Sequence, residues 1–199
     1  IGGGIFVKDS SLLFLESVII DSNHAETGGG LYFQNANQSI SNVTISNNTA
    51  ISFGGGVFSD ASDLQFEALL VLNNEVQNYT GGGLYFNGGD ISITGSTLYG
   101  NASNTGGGGV FITDQATVTV LNSILYNNLQ TQTESQNNIH INNGNLTVFY
   151  SDMEDIINSI TEDDINPNVI DISSETNISL DPLFCNADSS DFTLYDNSP

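Results

Sequence analysis

Short alternating segments, three or four residues long, recur along the whole chain, and none has the 3.6-residue rhythm of a helix. One set reads "IFV" at 5–7, "LYF" at 31–33, "VFS" at 57–59, "LYF" at 84–86 and "VFI" at 110–112, with "IHI" at 139–141 as a sixth copy. A second set follows each after a turn: "LLFL" at 12–15, "LQF" at 64–66, "ISI" at 91–93 and "VTV" at 118–120, with a weaker "QSISNV" between the first two. A third set ends in an aliphatic residue with asparagine three positions on: Ile20/Asn23, Ile45/Asn48, Val71/Asn74, Leu98/Asn101 and Leu125/Asn128. Period-2 segments bounded by turn residues predict strands.

The strands repeat as a unit. Glycine runs precede the first set, and their last members are Gly4, Gly30, Gly56, Gly83 and Gly109, spaced 26, 26, 27 and 26 residues apart. Three short strands every ~26 residues predict one coil of a single-stranded parallel β-helix. One coil cannot bury its own apolar face, but stacked coils can, with equivalent positions ~4.8 Å apart. The glycines then mark a sharp corner, needing positive φ or close backbone approach. Asn23, Asn48, Asn74, Asn101 and Asn128 are expected to bond amide to amide along the axis, the alternative being ordinary turn asparagines facing water.

The glycine run paired with an aliphatic-x-x-Asn signature resembles the repeats of chlamydial-type polymorphic outer-membrane proteins, here as "GGGI", "GGGL" or "GGGV" with Ile, Val or Leu in place of the aromatic of the second motif. More broadly, residues 1–150 resemble right-handed parallel β-helix proteins of bacterial surfaces. That implies an all-β, right-handed solenoid at the cell surface or outside the cell. The segment "ISLDPLFCNADSSDFTLYDNSP" at 178–199 looks like the closing segment of secreted bacterial β-helix proteins, where a cysteine often follows shortly after Ser-Pro. This resemblance implies a truncated closing coil and a partner for Cys185 outside these residues; a free buried cysteine is the alternative. The predicted organisation is therefore 1–151 as coils, 152–177 as an acidic insertion or cap, and 178–199 as the closing segment. The stretch "MEDIINSITEDDINPNV" reads as a short helix or a projecting loop.

Charge narrows the function. The chain has 23 acidic residues and one basic residue, Lys8, for a net charge of −22. Such a surface repels nucleic acid and anionic membranes. It suits a secreted protein kept soluble by its charge, and it attracts Ca²⁺ or other cations, although no ligand set is readable and no cofactor is expected. No apolar run approaches the ~20 residues of a membrane span. Residue 1 falls inside a repeat, which suggests a piece of a longer, processed product.

Catalysis is not expected. The lyases that resemble this fold use an Arg or Lys base, and arginine is absent here. Glycosidases need carboxylates grouped ~5–9.5 Å apart, whereas the 11 acids of the repeat region are scattered and the other 12 lie in 152–199. His24 and His140 sit in different coils without a nucleophile. The glycine runs lack the Lys-Ser/Thr ending of a phosphate loop.

Two surface features remain. If the flanking residues of the first strand point inward, Phe6, Tyr32, Phe58, Tyr85, Phe111 and His140 form an outward file, either an exposed strip for glycans or a partner, or a self-stacked ladder. Glycosylation sequons begin at Asn37, Asn42, Asn47, Asn78, Asn145 and Asn177; that at Asn101 should be hidden in the ladder. The function expected is an extracellular structural or adhesive module presenting faces to glycans or surface proteins, with end-to-end self-association into a fibre as a further expectation. The alternatives are a carbohydrate-active β-helix, with its catalytic residues in the acidic insertion or in a missing part, and a tail-spike-like module.

Overall fold

The computed structural model describes residues 1–199 except 10, 12, 156–159, 163–168, 173–175, 188–190 and 199. Leu12 of the second segment, and parts of the stretch expected to form a helix or loop, lie outside the described residues. The chain winds into a parallel β-solenoid. Three long ladders run up it, of seven, seven and six strands. The first joins Ile5–Lys8, Leu31–Gln34, Val57–Asp60, Leu84–Asn87, Val110–Thr113, Ile139–Asn142 and Ile160–Glu162. Register partners Ile5, Leu31, Val57, Leu84, Val110 and Ile139 are 26, 26, 27, 26 and 29 residues apart. The heptapeptide "TGGGLYF", written at 27–33 and 80–86, therefore lies two coils apart at the same corner.

Alternation places the core. Leu31, Phe33, Val57, Leu84, Phe86, Val110 and Ile112 of the first ladder are fully buried. Facing them are Ile40, Leu64, Phe66, Ile93, Val118 and Val120 of the second, and Ile45, Val71, Leu98 and Leu125 of the third. Each such burial is worth about 1.5–3 kcal/mol. One inward position breaks the pattern: Ser59, fully buried between Phe33 and Phe86 in register, has no hydrogen-bond partner for its hydroxyl among the described residues.

The corners divide their labour. Positive φ falls on the first glycine of a run, Gly28 (+65°) and Gly54 (+63°), rather than on the last. The later glycines are needed for space. A Cβ on Gly29 would sit 2.3 Å from the Gly55 carbonyl oxygen, and one on Gly30 would sit 2.8 Å from that of Gly56. Positive φ does not fall on the ladder asparagines either; it falls on the residue before each, such as Ser22, Asn47, Asn73, Gly100 and Asn127.

A fourth, short ladder lies between the asparagines and the glycines, running through His24–Thr27, Thr49–Phe53, Glu75–Val76, Ala102–Ser103 and Leu129–Gln130. In the last coil of this ladder Leu129–Gln130 turns back on Ser135–Gln136 as an antiparallel pair. That detour accompanies the longer 29-residue step.

The end of the chain departs from expectation twice. Residues 152–177 are not an insertion off the barrel, because their described strands continue the coils: Ile160–Glu162 pairs with Ile139–Asn142, Val169–Ile172 with Asn145–Phe149, and Ile178 bridges Asp152. Asp152 and Ile178 are 26 residues apart, one ordinary step. Nor does the tail continue as a parallel coil beyond the bridge at Ile178. Phe184–Asn186 and Asp191–Leu194 form an antiparallel hairpin. Its Phe184 and Phe192 pack on Tyr99, a residue of the third ladder, with ring centroids 5.7 and 5.2 Å away. The apolar residues of the tail find an existing outer face to cover, which costs less than opening a new edge.

Candidate functional site

Two polar columns hold the corners. Asn48, Asn74, Asn101 and Asn128 are fully buried. The Asn74 Nδ2 donates to the Asn101 Oδ1 (3.0 Å) and to the Ile45 carbonyl (2.8 Å), while its Oδ1 accepts from the Asn48 backbone N–H and from the Asn48 Nδ2 (both 3.0 Å). The same contacts recur from Asn23 to Asn128, where Asn138 supplies the last acceptor at 2.8 Å. The carboxamide is the one neutral group with two donors and an acceptor able to close this column. A second column follows the next corner. Leu69 N–H donates to the Ser96 Oγ, Ser96 N–H to the Ser123 Oγ and Ser123 N–H to the Ser151 Oγ, all at 3.1 Å, and Ser151 N–H donates to the Asn177 Oδ1 at 2.9 Å. Ser96 and Ser123 stand two positions before the aliphatics Leu98 and Leu125, and that recurrence was the signal available in the sequence. Both columns are spent on internal hydrogen bonds, and apart from Asn23 at the open end their members are buried.

The three long outer faces differ in what they leave open. On the first, the ring file is not an exposed strip. Tyr32–Phe58, Phe58–Tyr85, Tyr85–Phe111 and Phe111–His140 stack with centroids 4.9–5.0 Å apart. Ring faces therefore look along the rod at one another and only edges face water. Tyr32 and Phe111 are buried, and Phe58, Tyr85 and His140 half-buried; Phe6, at the end and turned 84° to Tyr32, stays 46% exposed. Phe53 covers the middle of the file, 5.1 Å from Tyr85, and stacks on exposed Tyr79. Burial, then Asp114 and Asp60, push the Tyr85 phenol up to about 12. Asp60 is held internally, accepting from Asn87 at 2.8 Å and Gln34 at 3.4 Å.

The third face is partly covered by the tail hairpin. A cavity of about 340 Å³ lies beneath it, lined by Ser123, Ile124, Tyr150, Asp152, Ile178 and Leu194 among others. Asp152 is 7% exposed, and its carboxyl lies above the usual range because burial disfavours the charge; the Leu180 N–H opposes this and Asp181 adds to it. Away from the hairpin, Asp21 accepts from Ser46 (2.6 Å), Asn47 (2.8 Å) and Ser22 (2.8 Å), which holds its carboxyl below the usual range.

The second face is open. Ser39, Gln65, Ser92, Thr119 and Thr147 stand in register up its middle, none buried. Two adjoining hollows of about 440 and 300 Å³ run along it, the first bordered by Asn37, Asp63 and Asp90, the second by Glu67 and Thr94, with Ser39 and Gln65 shared. This face is the candidate site. Sequence reasoning missed it, because Ser, Thr and Gln at alternate positions look like any solvated strand face.

The remaining expected residues are dispersed. Asn37, Asn42, Asn47 and Asn78 are exposed and Asn145 half-buried. Asn42 lies in a turn at φ +53°, not within a strand. Asn177 is buried, with its Nδ2 on the Val148 carbonyl at 2.7 Å, and is closed to a transferase, as is Asn101. His24 is exposed; Cys185 is half-buried and free among the described residues. Among those residues no three His, Cys, Asp or Glu side chains converge as a metal site.

No curated protein and no solved structure matches the chain. A family model described as the right-handed beta helix region matches residues 1–197. With the parallel ladders and the ~26-residue step, that match fixes the hand of the solenoid, and the chain belongs to the right-handed β-helix family.

Proposed function

We propose that this module is a structural and adhesive element of the extracellular space or cell surface, a rigid rod that binds an extended glycan along its second face. The observation that carries the reading is the contrast between faces. The first is occupied by its own ring stack and the third partly by the tail, while the second presents an unbroken polar file beside two hollows. Hydroxyls and amides repeated at the strand spacing suit a polymer that offers hydroxyls repeatedly. The fixed column costs no ordering on binding, which favours affinity. Its acidic, lysine-poor surface fits a secreted protein.

Retention on a panel of insoluble polysaccharides tests this. Ser92→Trp, which would fill the groove, is expected to abolish retention, and Thr44→Trp on the third face to leave it unchanged. Failure of every polysaccharide to retain the protein, or equal loss in both variants, refutes the reading.

One observation favours a second reading, a carbohydrate-active module. Asp152 combines burial, a raised carboxyl and an adjoining cavity, as a general acid would. No second carboxylate lines that cavity among the described residues. Release of reducing sugar by the protein, lost in Asp152→Asn, would establish this reading.

A further inference from the structure

The open face carries carboxylates to which no side chain of the described residues donates. Asp21 and Asp60 accept from side chains of neighbouring coils and Glu26 accepts from Ser52, while Glu75 and Asp114 elsewhere on the rod receive none. Along the second face the carboxylate of Asp90 and that of Glu67 receive no hydrogen bond from the described residues, and Asp63 uses one oxygen to accept the Asp90 N–H at 3.0 Å. All three are exposed. Asp63 and Asp90 edge the larger hollow one coil apart, and Glu67 edges the smaller. No cation answers them: Lys8, the chain's one basic residue apart from its histidines, is paired with Asp9 at 3.6 Å.

We infer that the groove selects a cationic glycan, a β-linked polymer of amino sugars with free amines, over neutral or acidic polysaccharides. This rests on the glycan-binding reading and specifies its ligand. An acidic polymer would bring like charge to a chain of net charge −22. A neutral polymer would meet the Asp90 and Glu67 carboxylates with hydroxyl donors alone, without the charge pairing that an ammonium adds. An amino-sugar chain supplies an ammonium on each ring, in reach of carboxylates one strand spacing apart, and hydroxyls for Ser39, Gln65, Ser92 and Thr119. A cationic peptide satisfies the charges but not the hydroxyl and amide file of Ser39, Gln65, Ser92 and Thr119.

The test is titration calorimetry at mildly acidic pH, where the sugar amine is protonated. The probes are soluble β-1,4-linked glucosamine oligosaccharide, its fully N-acetylated counterpart, oligogalacturonate and oligolysine. The glucosamine oligosaccharide is expected to bind at least tenfold more tightly than the others. Asp63→Asn/Asp90→Asn should weaken it about tenfold, since two exposed ion pairs of a few-fold each multiply. The side-chain amide keeps the acceptor for the Asp90 N–H, so folding should be unaffected, as circular dichroism would verify. A control with the same charge change elsewhere, Asp114→Asn/Glu134→Gln, should stay within twofold.

Equal binding of the N-acetylated oligosaccharide overturns this inference and leaves the glycan-binding reading standing. Equal binding of oligolysine, or equal loss in the two double variants, reduces the effect to general charge and also overturns it. If no oligosaccharide binds and the polysaccharide panel is also blank, both readings fall.

Discussion

Replacing Asn74 by alanine removes the middle rung of the asparagine column. Four hydrogen bonds of the carboxamide disappear. Not all leave an orphan. Asn101 Oδ1 keeps the Asn74 backbone N–H, and Asn48 Nδ2 keeps the Ile20 carbonyl. What loses its partner outright is the Asn48 backbone N–H and one Asn48 Nδ2 hydrogen, in a site with no solvent exposure, while the Ile45 carbonyl loses its side-chain donor but stays within the ladder paired to Leu70–Leu72. At about 1–3 kcal/mol for each unsatisfied buried group, reduced where the vacated space admits water, the cost comes to about 2–4 kcal/mol. That is a large share of the roughly 5–15 kcal/mol stabilising a domain. Urea unfolding followed by far-UV circular dichroism measures it, with an unchanged m-value required for the comparison. Asn73→Gly is the control. Its neighbouring position is exposed and left-handed at φ +52°, so the change should cost under about 0.5 kcal/mol. Asn74→Asp adds a pH signature. The new carboxyl would face the Ile45 carbonyl and the Asn101 Oδ1, both acceptors, so its folded pKa must rise above the unfolded ~3.9. Its deficit relative to the parent is then greatest at neutral pH, shrinks as pH falls, and closes below ~4, where the proton is bound in both states. A loss below about 1 kcal/mol in Asn74→Ala, or one no larger than the control's, would refute the column as a source of stability.

Other consequences are as direct. Gly55→Ala places a Cβ 2.4 Å from the Gly82 carbonyl oxygen and should prevent assembly of the stack, whereas Gly95→Ala meets nothing within 4 Å and should cost about 1–2 kcal/mol for its φ of +57°; soluble yield and melting temperature compare them. Ser59→Ala removes a buried hydroxyl without a partner and should stabilise by about 1 kcal/mol in the same urea assay; destabilisation would mean the hydroxyl is satisfied. Asp152 has a raised folded pKa, so its ionisation costs stability at neutral pH and the cost vanishes as pH falls toward ~4. Asp152→Asn, which keeps an acceptor for the Leu180 N–H, should therefore raise the melting temperature at pH 7 and leave it unchanged at pH 4. Tyr99→Ala removes the ring on which Phe184 and Phe192 rest and should release the hairpin to limited proteolysis near residue 187, while the coils stay intact by circular dichroism.

The repeat was legible because the solenoid makes vertical neighbours of residues ~26 apart, and each rung must fit the next. Leu31, Val57, Leu84 and Val110 are all aliphatic because they share one inward column, and Asn48, Asn74 and Asn101 are identical because only a matching amide closes the chain of bonds. The serine column was harder to read, since Ser96, Ser123 and Ser151 hold a position that Val18, Val43 and Leu69 fill in earlier coils. Residues 152–177 concealed their coil because they lack the glycine run and carry no asparagine three positions after Met153, although Asp152 and Ile178 still keep the 26-residue step. The last described strands close without those marks because they pair on one side with regular coils that already fix their register.

Sequence alone determined the architecture: strands, the period and the asparagine column, all set by nearest-neighbour rules that repeat along one axis. Only the tertiary structure decided which outer face is free. Whether Tyr85 offers a ring face or an edge depends on Phe58 and Phe111 above and below it, and whether the third face is bare depends on a hairpin almost a hundred residues further along the chain. Exposure is a property of what packs last. It leaves no period in the sequence, and so the groove bordered by Asp63, Asp90 and Glu67 became visible only once every other surface had found its cover.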